Sequence, residues 1–349
     1  MVSLSLLIFA NATFAGQTLE DRMSLVEHKL KTKLYLETDD FSFHPHTYLQ
    51  FYYYNEKVVT GASETSDKYY NFRRAVFYFD GFFARPLYTY KLEYDVSSNS
   101  LEEYNLNFAP LSWLQFRLGK QKVPFGMQRM ISSKKYQFTD RSIVENEFTH
   151  SNELGVSLWG NFILEGLTYH IGSYKSVGTH FQNVVSIFWA PLGPFKWEES
   201  DRDDNTDIRL NFGLHAHRQK SIYSKKYINS YGASSSFKLM GWSYNGAIYI
   251  RDHEYGDGVA TLDGIGHNIQ VGKMVVPRLW ELAFKFAEIK LDGDNNDTHE
   301  WGLVSNYFLE GQNLKFTTEY TAKTTIADPK RGLSRIHNNI VKAQIQLYF

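Results

Sequence analysis

The chain has 349 residues, of which 16% are aromatic, with no cysteine and a formal net charge of −1. No stretch of about 18 apolar residues follows the N-terminus, which excludes a helical membrane protein. A nearly neutral chain has no general attraction to nucleic acid, so no nucleic-acid partner is expected. The composition suits either a transmembrane β-barrel or a large soluble β protein.

The N-terminal residues favour export. Residues 1–15 form an apolar run that ends in small residues, as a secretory signal peptide does, although the usual basic start is missing. Residues 16–40 are expected to form a periplasmic leader, in which Leu19, Met23 and Val26 have the spacing of a short helix. An exported chain that continues with β periodicity predicts the outer membrane of a bacterium.

From residue 41 onward the period of the hydrophobic pattern is two. Apolar and polar side chains alternate along sixteen segments, each about ten residues long, which is typical of a transmembrane barrel. We therefore predict an all-β fold, with residues 41–349 forming an antiparallel transmembrane β-barrel of 16 strands. The segments are 41–55, 69–80, 86–96, 101–109, 112–121, 152–159, 162–173, 182–190, 207–217, 228–239, 241–251, 265–275, 278–289, 298–309, 312–323 and 338–349.

Connection lengths distinguish a barrel from a soluble sandwich, whose strands also alternate. Short connections alternate with long ones such as 56–68. There are two exceptions: 97–100 is short although its position predicts an extracellular loop, and 191–206 is long although its position predicts a periplasmic turn. Outer-membrane barrels have short periplasmic turns and long extracellular loops, and the even strand count places both termini in the periplasm. The terminal aromatic residue, Phe349, resembles the assembly signal of such barrels.

Residues 117–141 carry an unusual excess of positive charge, with seven basic residues and one acid, Asp140. The segment leaves an alternating strand and stays irregular until about residue 151. Its cations either line the narrowest part of a pore, where low-dielectric walls focus the field, or form a solvated loop that contacts lipopolysaccharide phosphates. The basic residues are Arg117, Lys120, Lys122, Arg129, Lys134, Lys135 and Arg141.

Two stretches of the chain resemble the phosphate-selective porin O and P family. The first is FRRAVFYFDG followed by YKLEYD, and the second is QFRLGKQKVPFG followed by ISSKKYQF and DRS. The resemblance implies a sixteen-stranded, trimeric porin whose long third loop folds inward to narrow the channel. It also implies inward arginines and lysines that guide small anions such as phosphate.

Residues carry over from the family by position. Arg73 and Arg74 match its Arg-Arg pair, although strand neighbours face opposite sides, so only one is expected to point straight into the lumen. The start of the third loop matches at Lys120, Lys122, Pro124, Phe125 and Gly126, and its later part at Ser132, Ser133, Lys134 and Arg141.

Acidic residues weaken the prediction of strict phosphate selectivity, because Glu93, Asp95, Glu103 and Glu281 also have inward parity. We expect passive diffusion of small anions, with phosphate or polyphosphate as candidates, through a basic constriction. One alternative is a non-selective or oligosaccharide porin, for which Trp113 has inward parity. Others are a barrel enzyme and a structural barrel without an open pore.

The remaining motifs give no sign of catalysis. The chain has no G-x-S-x-G, H-E-x-x-H or P-loop motif, so no enzyme and no cofactor is expected. His215 and His217 lack an evident third ligand, so we interpret them as lumen-facing imidazoles and expect no metal. The acidic stretch 198–207 is interpreted as a solvated turn. Besides anions, the expected partners are outer-membrane lipid, lipopolysaccharide and further copies of the chain in a homotrimer.

Overall fold

The computed structural model describes residues 36–84, 87–162, 166–176, 181–203, 206–220, 227–253, 263–291, 297–326 and 335–349. The predicted signal peptide and most of the predicted leader lie outside these ranges. No helix within them is long and apolar enough to cross a membrane.

Sixteen antiparallel strands, β2 to β17, form one closed barrel, which confirms the predicted fold class. Each strand pairs with the next along the chain, and β17 pairs with β2, from Tyr348 opposite Tyr48 to Ile336 opposite Thr60. A short strand, β1 (Leu36–Glu37), adds to the start of β2. The barrel strands are β2 Ser42–Thr60, β3 Ser63–Phe83, β4 Tyr88–Asp95, β5 Ser100–Leu111, β6 Leu114–Lys122, β7 Asn152–Asn161, β8 Leu167–Lys175, β9 Phe181–Trp189, β10 Arg209–Lys220, β11 Tyr227–Leu239, β12 Trp242–His253, β13 Gly264–Val276, β14 Trp280–Leu291, β15 Asp297–Glu310, β16 Leu314–Ile326 and β17 Arg335–Tyr348.

Side chains alternate between the two faces of the barrel wall, and β10 shows this clearly. Phe212 and Leu214 are 42% and 66% exposed on the outer face, whereas Asn211, His215 and His217 are buried on the inner face. An apolar outer face is stable against hydrocarbon, and ring closure pairs the backbone groups that an open sheet edge would leave free. The wall is therefore built to span a lipid bilayer.

The two ends of the barrel differ in their connections. The end that carries the C-terminus, here called the turn end, has short connections such as Met240–Gly241 between β11 and β12. The opposite end, the loop end, carries the third loop, residues 123–151. The predicted long connection 56–68 is wrong, because β2 and β3 continue as a paired hairpin to Thr60 and Ser63.

The third loop folds into the barrel, as the family resemblance implies. It contains helix α1 (Met127–Met130), a 3-10 turn (Ser133–Lys135) and helix α2 (Ile143–Phe148). Apolar residues on the inner face of the wall would raise the free energy of the fold if they were exposed to water. Packing of the third loop against the wall removes the apolar surfaces of both from water. The shared core comprises Val123, Phe125, Val144 and Phe148 from the loop and Tyr174, Val184, Tyr249, Ala287 and Ile289 from the wall.

Gly126 allows the loop to turn sharply at its start. Its φ of 94° is in the region that favours glycine, and a Cβ atom there would lie 2.5 Å from Tyr249 Oη. The turn places the neighbouring Phe125, which is fully buried, in the core inside the barrel. The Pro-Phe-Gly motif is thus the hinge at which the chain leaves the wall.

A second connection also enters the barrel, at the turn end between β9 and β10. The prediction of a solvated acidic turn over 198–207 is wrong for its first part, because Glu198, Glu199 and Asp201 are 6%, 1% and 4% exposed, whereas Asp207 is exposed. Glu199 accepts a hydrogen bond from Gln137 N at 2.6 Å, and Asp201 accepts one from Gly241 N at 2.8 Å. Such donors offset the cost of removing carboxylates from water.

Candidate channel constriction

Arg73 and Arg74 both point into the barrel, which corrects the expectation that only one of them does. In the β2–β3 pairing, Gln50 lies opposite Arg74 and Phe51 lies opposite Phe72, so Arg73 is an extra, unpaired residue. This β-bulge interrupts the alternation of faces. Arg73 Nη1 donates to Gln50 Oε1 at 3.2 Å, and Arg74 shares the inner face with its register partner Gln50.

Arg73 is held by the third loop through Asp140. Arg73 Nε lies 3.1 Å from Asp140 Oδ1, and Lys342 Nζ of β17 lies 2.7 Å from Asp140 Oδ2. Although burial alone would raise it, the charges of Arg73 and Lys342 hold the pKa of Asp140 well below its usual range. The contact fixes the third loop to β3 and to β17, which lie on either side of β2. It also neutralises part of the positive charge of Arg73 and Lys342.

Three further arginines act electrostatically on Tyr136, and we call Arg74, Arg129 and Arg141 the arginine cluster. The Arg141 guanidinium lies 5.1 Å from the centre of the Tyr136 ring, and the charges of Arg74 and Arg129 also act on that phenol. Burial, and then the charge of Arg141, lowers the pKa of Arg129 to about 10.

The arginine cluster has unused hydrogen-bonding capacity. Among the described residues, Arg74 Nη1, Arg129 Nε and Arg141 Nε are buried nitrogens without a hydrogen-bond partner. Guanidinium groups present several N–H donors in a planar fork that matches oxyanions. Like charges held together in a partly desolvated place favour an anion among them. The cluster therefore has donors suited to an anion.

One carboxylate, Glu145, faces the arginine cluster from helix α2. Ser142 caps this helix, because its side chain accepts a hydrogen bond from Glu145 N at 3.2 Å. Glu145 Oε1 accepts a hydrogen bond from Tyr249 Oη at 2.7 Å. Burial raises the pKa of Glu145 to about 6, against the opposing effects of that hydrogen bond and of Arg141. Its charge therefore weakens the cluster at neutral pH and is lost in mild acid.

Arg117 lies on a different part of the inner wall, on β6. Its guanidinium stacks 4.9 Å from the centre of the Trp159 ring. With Lys91 and Glu103 it lines a cavity of about 400 Å³. Lys91 is hydrogen-bonded to Glu103 and lies 2.5 Å from Glu93 Oε2. This wall carries both signs of charge, unlike the arginine cluster.

Lys122 and Lys120 lie on different sides of the barrel wall. Lys122 Nζ donates at 3.1 Å to the carbonyl oxygens of Met130 and Ile131, so it fastens helix α1 inside the barrel. Lys120 lies opposite Leu154, which is 44% exposed on the outer face. The structure therefore places Lys120 outside the lumen, because it continues the outward register of β6.

Lys134 and Lys135 lie at the turn end of the lumen. Lys134 Nζ is 3.4 Å from the centre of the Tyr348 ring and 3.2 Å from Tyr78 Oη. Burial, and then the charge of Lys135, lowers the pKa of Lys134 to about 8. Both lysines line a cavity of about 640 Å³. The third loop thus extends from the loop end of the barrel to its turn end.

The structure adds residues that sequence reasoning missed. Tyr136 and Glu145 organise the arginine cluster, and Lys342 anchors Asp140. The capping pattern Ser142-x-x-Glu145 was a readable signal for helix α2, and Lys342 lies on the polar face of an alternating strand. Trp113, considered for a sugar-binding surface, is 43% exposed in the β5–β6 turn. His215 and His217 face the inside of the wall, where both are buried.

Comparison with known families supports a porin. Residues 49–191 match the family described as phosphate-selective porin O and P, a range that contains the Arg-Arg pair and the whole third loop. The predicted resemblance is thereby confirmed for this part of the chain. A comparison with curated proteins gave no match.

Solved outer-membrane structures share the fold at low identity. The anion-selective porin from Comamonas acidovorans has a TM-score of 0.63 at 11% identity and covers 89% of this chain and 100% of its own. OmpT of Vibrio cholerae, in its trimer form, gives 0.59 at 11% identity, with 89% and 100% covered. The DcaP channel of Acinetobacter baumannii gives 0.58 at 10% identity, with 90% and 99% covered. With its closed, lipid-facing barrel, the chain is a porin of the bacterial outer membrane, related over residues 49–191 to the phosphate-selective porin O and P family.

Proposed function

We propose that this porin lets small anions diffuse passively across the outer membrane and that the arginine cluster selects them. The observation that carries the proposal is the set of buried, unpartnered nitrogens on Arg74, Arg129 and Arg141. A cationic ring at a narrow place, with low-dielectric surroundings, lowers the energy of a passing anion and raises that of a cation. In our proposal the inward-folded third loop creates this narrow place.

The site favours anions in general, with phosphate as one member of the class. Guanidinium forks suit phosphate oxygens, and the charges of all three arginines of the cluster act on Tyr136. Arg73, however, is engaged by Asp140, and Lys91 is engaged by Glu93 and Glu103. Because part of the basic lining is neutralised within the protein, we propose moderate anion preference rather than exclusive phosphate transport.

A non-selective porin is the second candidate, and one part of the wall favours it. The cavity of about 400 Å³ beside β2 to β6 is lined by cations and carboxylates together, including Arg117, Lys91, Glu103 and Asp80. Ions that pass mainly along this wall would meet both signs of charge. Equal permeability for chloride and potassium would support this second candidate.

We propose no catalytic role and two kinds of partner in the membrane. The family and the fold are those of a channel. The outward position of Lys120 near the loop end supports a contact with lipopolysaccharide phosphates. A homotrimer is supported by the family resemblance and by the fold shared with OmpT in its trimer form. Cross-linking of the purified protein, followed by electrophoresis, tests the trimer.

Single-channel recording in planar bilayers tests the selective role of the arginine cluster. We expect Arg129→Gln and Arg141→Gln to lower the chloride-to-potassium permeability ratio and to weaken block of chloride current by inorganic phosphate. Lys57→Gln is the matched control, because Lys57 pairs at 2.9 Å with Glu64 on the β2–β3 hairpin and is 49% exposed. Permeability ratios that are unchanged in both arginine variants would contradict the proposed role.

A further inference from the structure

The connection between β9 and β10 has an architecture that differs from the other connections at the turn end. Its residues 194–203, which we call the inner segment, fold into the lumen, whereas β11 and β12 are joined by Met240 and Gly241 alone. Ser200 is fully buried, and its hydroxyl donates to inward-facing Glu281 at 2.9 Å. Lys238 Nζ donates to Glu198 O at 2.6 Å, which ties the segment to β11.

The inner segment also docks on the third loop. Glu199 N donates to Lys135 O at 3.3 Å, and Glu199 Oε2 accepts from Gln137 N at 2.6 Å and from Gln270 Nε2 at 2.9 Å. Gln128 Nε2 donates a hydrogen bond to the other carboxylate oxygen, Glu199 Oε1. A buried carboxylate with this many donors is a specific anchor, because any displaced donor or acceptor would lose its partner. The two segments therefore meet inside the barrel and narrow it from opposite ends.

The space that remains between them is the cavity of about 640 Å³ at the turn end. Its lining contains four cations, two from the third loop and two from the inner segment, together with the carboxylates of Glu198 and Glu310. The cations are Lys134, Lys135, Lys196 and Arg202. Asp203 of the inner segment is ion-paired with Lys196 and lies 4.0 Å from Arg202 Nη2, so part of this charge is neutralised within the segment. Arg202 Nε is buried without a hydrogen-bond partner among the described residues. The aromatic residues Phe195 and Trp197 complete the wall.

We propose that the inner segment forms, with the end of the third loop, a second selective narrowing of the channel at its periplasmic mouth, where small anions are held by Lys135 and Arg202. The turn end is the periplasmic end because outer-membrane barrels have their chain termini and short turns there. A solute that passes the arginine cluster leaves through this mouth. The segment therefore sets a size limit and a charge preference that the third loop does not set alone. The choice of anions as solutes rests on the proposed function.

The absence of cysteine from the chain gives a direct test. Lys196→Cys is suitable because the Lys196 side chain lines the mouth and is 59% exposed, so the substitution breaks the ion pair with Asp203 but leaves the packed core intact. A negatively charged methanethiosulfonate reagent then replaces the positive charge with a negative one. We expect loss of single-channel conductance and a shift of the reversal potential away from anion preference. A neutral, bulkier thiol reagent is expected to lower the conductance without the charge-specific shift.

Lys57→Cys on the β2–β3 hairpin is the control, and neither reagent is expected to change the current through this variant. Unchanged conductance and reversal potential in Lys196→Cys, with modification verified by mass spectrometry, would overturn the proposal. The test separates this proposal from the proposed function. If the unmodified channel shows no anion preference but the bulky reagent still lowers its conductance, the second narrowing stands and the anion proposal fails.

Discussion

Lys342 on the last strand and Asp140 on the third loop form an ion pair with an Nζ–Oδ2 distance of 2.7 Å. Arg73 of β3 binds the other oxygen of the same carboxylate, so one acid joins the loop to strands that flank the closure of the barrel. The acid both positions the loop and subtracts positive charge from the lumen. These two effects are separable by experiment.

Asp140→Asn is expected to raise anion selectivity, because Arg73 loses the carboxylate that neutralises it, while Lys342 stays paired with Glu319 at 3.3 Å. The Asp140 side chain is 41% exposed, so water limits the loss of stability to about 1 kcal/mol. Reversal potentials in a salt gradient measure the first effect, and thermal unfolding in detergent measures the second. Glu64→Gln on the outer hairpin serves as the control, and equal reversal potentials in the two variants would contradict this role of Asp140.

Acidification is expected to increase anion preference with a midpoint near pH 6, because Glu145 loses its negative charge beside the arginine cluster. Its folded-state pKa lies above the ordinary value of 4.5, so the folded state gains stability as the pH falls from about 6 towards 4.5. Permeability ratios measured between pH 7.5 and pH 4.5 (about three units) cover the transition. Glu145→Gln should remove the step at pH 6, and a step that persists in this variant would assign it to another group.

Alkaline pH is expected to weaken anion preference at the turn end. The pKa of Lys134 is lowered from 10.5 to about 8, so its ammonium group becomes neutral as the pH rises through that value. The folded state then gains stability between about pH 8 and the unfolded value of 10.5, since burial disfavours the charged form. Lys134→Gln lacks this charge at every pH, so at neutral pH it should show the weaker anion preference that the wild type shows at alkaline pH. A wild-type permeability ratio that stays constant up to pH 9 (about one unit above the transition) would refute this assignment.

Phe125→Ala is expected to loosen the third loop inside the barrel. Phe125 is fully buried in the core that the loop shares with the wall, and truncation of such a side chain costs about 3–5 kcal/mol. We expect noisier single-channel currents and faster trypsin cleavage within residues 127–141, with the barrel still resistant to detergent. Phe116→Ala, at an outward-facing position that is 47% exposed, is the matched control. Equal cleavage rates in the two variants would show that Phe125 does not hold the loop.

Much of the barrel can be predicted from the sequence because alternation with a period of two is a local property. The same rule places Lys120 outside, since it shares the register of Phe116 and Leu118. Lys122 has the same parity, but it ends β6 and its side chain reaches helix α1 inside the barrel, so parity alone does not place it. The bulge at Arg73 leaves no local signal in the sequence. One extra residue changes which face of the sheet the next side chains point to, but it does not change the composition of the strand. The pattern therefore predicted only one inward arginine where the structure has two.

Burial of the acidic connection could not be read from its own residues. Glu199 and Asp201 are charged, and charged stretches between strands are usually solvated. Their donors, Gln137, Gln270 and Gly241, come from distant parts of the chain. Only the inward fold of the third loop brings Gln137 within reach. The inward fold itself was implied by family resemblance, and the apolar inner face around Tyr249 and Ile289 now gives its physical reason.

The reversal potential of the wild-type channel in a potassium chloride gradient tests the central claim most directly. In the proposed function, the three guanidinium groups of Arg74, Arg129 and Arg141 favour chloride over potassium at the narrow part of the channel. We therefore predict that the reversal potential at neutral pH is displaced from zero towards the equilibrium potential of chloride. A further shift in the same direction is expected below pH 6 (about the pKa of Glu145). A reversal potential on the potassium side, or one at zero, would contradict selection of anions by the arginine cluster.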